Sequence, residues 1–115
     1  MKIEHIAIWC KDIEALRIFY EKHFNAVSNQ KYINKQKGFC SYFLDFDSGA
    51  RIELMNMDSV PATANDPYTQ FTGLIHLAIS VGSDDKVDQM RITDPFDRAD
   101  CLCFQKIFKF VEPGG

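Results

Sequence analysis

The phrase His-x-Ala-Ile occurs twice in this chain of 115 residues, as His5-Ile6-Ala7-Ile8 and as His76-Leu77-Ala78-Ile79, 71 positions apart. Internal similarity constrains a fold more than any local propensity, because each copy must make a similar supersecondary unit. The likeness runs past the four letters: Ile3–Trp9 aligns with Leu74–Ser80. Asp12 and Ser83 then stand at the same offset, each ahead of a helix-like segment and each a good N-cap. Two copies of a strand-and-helix unit are expected, each carrying a histidine at the third position of its strand.

The first copy reads clearly. Residues 3–9 alternate as a strand, and Asp12 opens a helix whose apolar positions Ile13, Leu16, Phe19, Tyr20 and Phe24 recur at helical spacing, stopping near Asn25. A second strand is expected within 26–32, a polar loop over 33–38 and a strong aromatic-rich strand over 39–46. Asp47-Ser48-Gly49 is a turn, and 50–55 is the partner strand. The first module is therefore a β-α-β-β-β unit spanning 1–57. Residues 58–72, with two prolines and no periodicity, read as a linker. The second module occupies 73–115 and departs from the pattern after about residue 90. There Arg91–Asp100 mixes charge with Pro95, and Cys101–Val111 is one apolar, basic run.

Strand alternation decides which side chains share a face. His5 keeps company with Ile3, Ala7 and Trp9, while Ile6 and Ile8 turn to the helix. In the last strand Ile52 and Leu54 turn to the helix, leaving Arg51, Glu53 and Met55 opposite. In the second copy Ile75, Leu77, Ile79 and Val81 form the apolar stripe, so His76 points away from it. One parity rule puts His5, Glu53 and His76 on the non-helix face. A single histidine among apolar residues is more often a packing residue, and a single outward glutamate is usually solvated. Two repeat-equivalent histidines with a same-face carboxylate instead suit a borderline divalent ion bound at about 2.0–2.2 Å. Three protein donors with an open position are what catalytic metal sites provide.

Composition narrows the functional classes. A net charge of −3 with scattered lysines argues against a nucleic-acid partner, and Lys31, Lys35 and Lys37 read as a solvated loop. No apolar run approaches a membrane span. Met1-Lys2-Ile3-Glu4 goes directly into a strand, so a cytoplasmic protein is expected. Cys10 and Cys40 sit in core-like strand settings, and Cys101-Leu102-Cys103 lacks the spacing of a zinc pair. The aromatics Phe19, Tyr20 and Phe24 read as core. His23, at the helix end, reads as a solvent-exposed partner of the helix's negative terminus.

The segments Ile3–Ile8, Phe19-Tyr20-Glu21-Lys22, Gly49–Leu54 and Gly73–Val81 together resemble the glyoxalase/bleomycin-resistance/extradiol-dioxygenase group, the vicinal oxygen chelate superfamily. The resemblance covers residues 1 to about 90. It implies an α+β fold of paired β-α-β-β-β modules curling into a mixed-sheet cup around a divalent metal, with His5, Glu53 and His76 as ligands. It also implies a metal-dependent lyase or isomerase of the lactoylglutathione lyase type, working through an enediolate with Glu53 as the base. The metal expected is nickel, zinc, cobalt, manganese or iron. The alternatives are a metal-free binding protein of the bleomycin-resistance kind, its cup lined by Trp9, Phe39 and Phe43, and extradiol dioxygenase chemistry at a two-histidine, one-carboxylate triad. Projected by the repeat, the counterpart of Glu53 falls near position 124, past Gly115, and Glu112 is the sole late carboxylate. An incomplete or altered second module would leave an apolar face and strand edges exposed, so a homodimer acting on a small-molecule substrate is expected.

Overall fold

The computed structural model describes residues 1–63, 69–70, 72–74 and 77–80, together with the backbone of 108–111. The chain divides into two compact units, Met1–Ala62 and Thr63–Gly115. The first unit contains strand β1 (His5–Trp9), helix α1 (Ile13–Phe24), and strands β2 (Val27–Ser28), β3 (Tyr32–Asn34), β4 (Phe39–Asp45) and β5 (Arg51–Met57).

Helix α1 is fixed at both ends by short-range chemistry. The Asp12 carboxylate accepts from the Ala15 N–H at 3.0 Å, satisfying one of the donors that a helix leaves unpaired at its start. At the other end Asn25 adopts a left-handed conformation with φ 54°, and the Asn25 and Ala26 N–H groups return to the Tyr20 carbonyl. Asparagine tolerates that conformation better than other non-glycine residues, which is why the helix stops here. Between the caps Ile13, Leu16, Phe19 and Tyr20 are buried, as their spacing requires.

The sheet is mixed, in the order β1-β5-β4-β2, with β3 also on β4. β1 lies parallel to β5, and the remaining pairs are antiparallel. Ile8, Tyr42, Leu44, Ile52 and Leu54 are buried with the apolar residues of α1. This is the α+β, β-α-β-β-β arrangement expected of the first module. Residues 26–34 depart from expectation, because two short strands replace one strand and a loop. The register shows why: Ser28 opposes Leu44 and Tyr32 opposes Ser41, so three residues face two. The extra residue is a bulge. Asn29 spans it, its side-chain oxygen accepting from the Phe43 N–H at 2.9 Å while its own N–H donates to the Phe43 carbonyl at 3.1 Å. Ile33 and Asn34, expected in the loop, therefore pair with Cys40 and Phe39. The turn shortens to 35–38 and closes on Gly38 at φ 65°.

In the second unit β6 (Leu77–Ser80) lies parallel to β7 (Phe108–Val111). This repeats the parallel pairing of β1 with β5, and its register corrects the projection to position 124. Ala7 pairs with Glu53, whereas Ala78, the repeat equivalent of Ala7, pairs with Lys109. A shorter connection brings β7 to that place, and a lysine stands where the first unit has its carboxylate.

A polar cluster joins the helix to the sheet. Glu14 accepts from the Tyr42 hydroxyl at 2.7 Å, from Lys31 Nζ at 3.1 Å and from Arg17 at 2.8 and 3.0 Å. The Tyr42 hydrogen bond, more than the neighbouring cations, pulls the Glu14 pKa from 4.5 down to about 2. A carboxyl whose folded pKa is depressed stabilises the fold above its unfolded pKa and loses that contribution as pH falls through the folded one. Glu14→Gln should therefore destabilise at neutral pH by on the order of 1 kcal/mol, the site being largely solvated. The gap to wild type should close between pH 4.5 and about 2 in urea titrations, and a constant gap would refute the assignment. Leu54 is fully buried, so Leu54→Ala should cost about 2–5 kcal/mol by the same measurement.

Candidate metal-binding site

The face of the sheet turned away from α1 carries His5, Ala7 and Trp9 from β1, Arg51, Glu53 and Met55 from β5, and Phe39 and Phe43 from β4. The register places Ala7 beside Glu53 and Glu53 beside Phe43. A methyl group next to Glu53 leaves room above β1, and the imidazole of His5 leans into it. His5 Nε2 lies 3.7 Å from Glu53 Oε1. The Glu53 side chain is 17% exposed and that of His5 38%, so the pair is shielded but reachable.

The other edge of the imidazole is engaged as well. His5 Nδ1 is 3.3 Å from Glu4 Oε1. An ionised carboxylate only accepts, so Nδ1 carries the hydrogen in this contact; with the hydrogen there, the lone pair of a neutral imidazole lies on Nε2, toward Glu53. A cation or a proton placed between these two atoms would be shared by both. Donors at metal-ligand distances from one ion stand at most about 4.3 Å apart, so a 3.7 Å separation fits a shared divalent ion. Imidazole nitrogen and carboxylate oxygen are also the donor types such an ion takes.

Two of the three ligands expected from the sequence are thus brought together, His5 and Glu53. His76 and Glu112 lie outside the described residues, and among the described residues no group of three His, Cys, Asp or Glu side chains is arranged to hold a metal ion. Sequence reasoning missed Glu4 and the partner that holds it. The Arg51 guanidinium donates to both Glu4 carboxylate oxygens, with Nε at 3.1 and 3.3 Å and Nη2 in close contact. It holds the Glu4 carboxyl below the usual carboxylate range, with His5 adding a smaller effect. An acid immediately before the histidine is the available signal, although strict alternation would put it on the opposite face. Glu4 precedes the first paired residue of β1 and escapes that rule. His23 is also corrected: it is half-buried, its ring 4.8 Å from that of Phe19, because the last turn of α1 packs on its own aromatic side chains.

Aromatic rings continue the site face away from the His5–Glu53 pair. Phe43 meets the His5 ring edge-on at 5.2 Å, while Trp9, Phe39 and Tyr32 form a chain of edge contacts at 6.0 Å each. Trp9 and Tyr32 are exposed. The face therefore offers a polar, metal-suited end and an apolar, ring-lined end.

This fold is that of a known class. The chain belongs to the Glyoxalase/Bleomycin resistance protein/Dioxygenase superfamily, whose family model matches residues 4–91. An uncharacterized protein of Bacillus subtilis strain 168, YwkD, is 33% identical over 87 residues, covering 76% of this chain and 66% of the relative. A glyoxalase family protein from Enterococcus faecalis has a similar structure, with TM-score 0.63 and 24% identity over 77% of this chain and 68% of that one. The fosfomycin resistance protein FosX of Listeria monocytogenes, solved with Mn(II) and a dihydroxypropylphosphonic acid, gives a TM-score of 0.55 and 23% identity over 76% and 62%. These two structural likenesses establish the fold. The chain spans just under two thirds of the length of the Bacillus and Listeria proteins.

Trp9 is the one tryptophan of the chain, lies 42% exposed and marks the apolar end of the face. A small molecule filling that end should shift its emission to shorter wavelength and protect it from acrylamide quenching. Unchanged quenching at saturating ligand would place the ligand elsewhere.

Proposed function

We propose that this chain is a divalent-metal-dependent lyase or isomerase of the lactoylglutathione lyase type, acting on a small carbonyl compound or its thiol adduct. The approach of His5 Nε2 to Glu53 Oε1 at 3.7 Å on one sheet face carries this reading. His5 and Glu53 would hold the ion, with His76 as third ligand on the strength of the repeat. Nickel, zinc, cobalt, manganese and iron all suit this donor set. When bound, the ion supplies Lewis-acid stabilisation of negative charge on a substrate oxygen.

The remaining chemistry falls to side chains. For the hemithioacetal of methylglyoxal and glutathione, a carboxylate oxygen of Glu53 takes the proton from the carbon bearing hydroxyl and sulfur. The C–H electron pair becomes the carbon–carbon double bond of an enediolate, and the carbonyl oxygen takes up the charge. Glu53 then returns the proton to the former carbonyl carbon while the hydroxyl proton on the sulfur-bearing carbon passes to the former carbonyl oxygen, leaving a hydroxyl there and a thioester next to it. The net change is a 1,2-hydrogen shift that needs no oxidant. The shielding of Glu53 favours return of the same proton over exchange with water.

Metal content and lactoylglutathione formation, measured after adding each metal in turn, test the proposal. Stimulation is expected with at least one metal. Glu53→Gln should lower turnover by about 10²–10⁴. No bound metal and no stimulation would reject it. A second reading, a metal-free binding protein, is favoured by the row Trp9–Phe39–Tyr32. It expects ligand-dependent changes in Trp9 emission that are indifferent to chelators.

The same proposal extends to organisation and assembly. Residues 58–72 connect two modules, and the chain works as a cytoplasmic homodimer. β1 ends the strand order, with its outer edge unpaired among the described residues and Trp9 exposed upon it. Such an edge is a site for pairing unless covered. Light scattering should give twice the 13.2 kDa chain mass, and a monodisperse monomer at micromolar concentration would overturn the dimer.

A further inference from the structure

We infer that Glu4 is a positioning residue for the metal site, held by Arg51 and acting through His5. The inference rests on the metal-site reading of His5 and Glu53 and adds to it how the imidazole is kept ready.

Metal-bound histidines generally donate their other ring N–H to a carboxylate or carbonyl, which fixes the tautomer and raises the basicity of the ligating nitrogen. Glu4 occupies that place. Its carboxylate meets Nδ1 at 3.3 Å, on the side of the ring opposite the Nε2 that faces Glu53. An exposed glutamate is normally free to rotate, and the Glu4 side chain is 58% exposed. Arg51 removes that freedom. Its guanidinium reaches both carboxylate oxygens, and its backbone N–H donates to the Glu4 carbonyl at 2.9 Å, so main chain and side chain are clipped to one residue.

Arg51 is itself placed. Its guanidinium lies 4.3 Å from the centre of the Phe43 ring, and Asp45 stands 3.9 Å from Nε. Phe43 also packs edge-on against His5 at 5.2 Å. The imidazole is therefore bounded by Glu4 at Nδ1, by Phe43 at its flank and by the gap to Glu53 at Nε2. Free imidazole side chains favour the hydrogen on Nε2, the form that cannot bind a metal there. The chain Arg51–Glu4–His5 selects the other tautomer before any ion arrives.

Two measurements on the full chain test this. In the metal-free protein, nitrogen-detected imidazole NMR should show His5 with its hydrogen on Nδ1. In Glu4→Ala it should move toward the Nε2–H form. Manganese(II) and nickel(II) affinity by calorimetry should fall about 10–100-fold in Glu4→Ala. Glu4→Asp, which keeps the acceptor, should recover part of the loss. An Nε2–H tautomer in the wild-type protein, or Glu4→Ala affinity equal to wild type, would overturn the role of Glu4. His5→Ala separates this from failure of the underlying reading. If it abolishes metal binding while Glu4→Ala is silent, only the positioning role falls; if His5→Ala itself binds metal normally, the site has been misplaced and both fall.

Discussion

The parallel pairing of β1 with β5 is the contact on which the rest of the first unit depends. It joins the first strand of the module to its last, with the helix and three strands between them in the chain. Parallel neighbours need such a crossover, and α1 supplies it while covering one face of the sheet. The register, Ile6 with Ile52 and Ile8 with Leu54, places aliphatic side chains under the helix. The same register necessarily turns His5, Ala7, Arg51 and Glu53 to the other side. A slip of one residue would bury Glu53 beneath α1 and expose Leu54, so burial of the apolar set enforces the chemistry of the polar one.

The two faces use charge in different ways. On the helix side Glu14 is fully compensated by Tyr42, Arg17 and Lys31, and its carboxyl is held ionised far below the normal range. That cluster ties α1 to β4. On the other side Glu4 is compensated by Arg51, but Glu53 faces an imidazole whose far nitrogen is already engaged. The carboxylate that faces an imidazole across 3.7 Å is the one whose donor set suits a divalent ion. This contrast, rather than the presence of acidic residues, separates a structural cluster from a candidate site.

Much of this was legible in the sequence because it rests on periodicity. Helical spacing found Ile13, Leu16, Phe19 and Tyr20, and strand parity found the shared face of His5 and Glu53. What escaped was set by geometry that has no period. The bulge bridged by Asn29 depends on one surplus residue opposite Ser41–Leu44, and nothing in the local composition of 26–34 marks where it falls. Glu4 lies one residue ahead of regular pairing, where alternation no longer dictates direction. The 71-residue repeat located a second histidine, but extending it forward assumed equal connections in both copies.

That assumption fails at β7. In each unit the strand bearing the His-x-Ala-Ile phrase has a parallel neighbour, and the residue opposite its alanine is Glu53 in the first and Lys109 in the second.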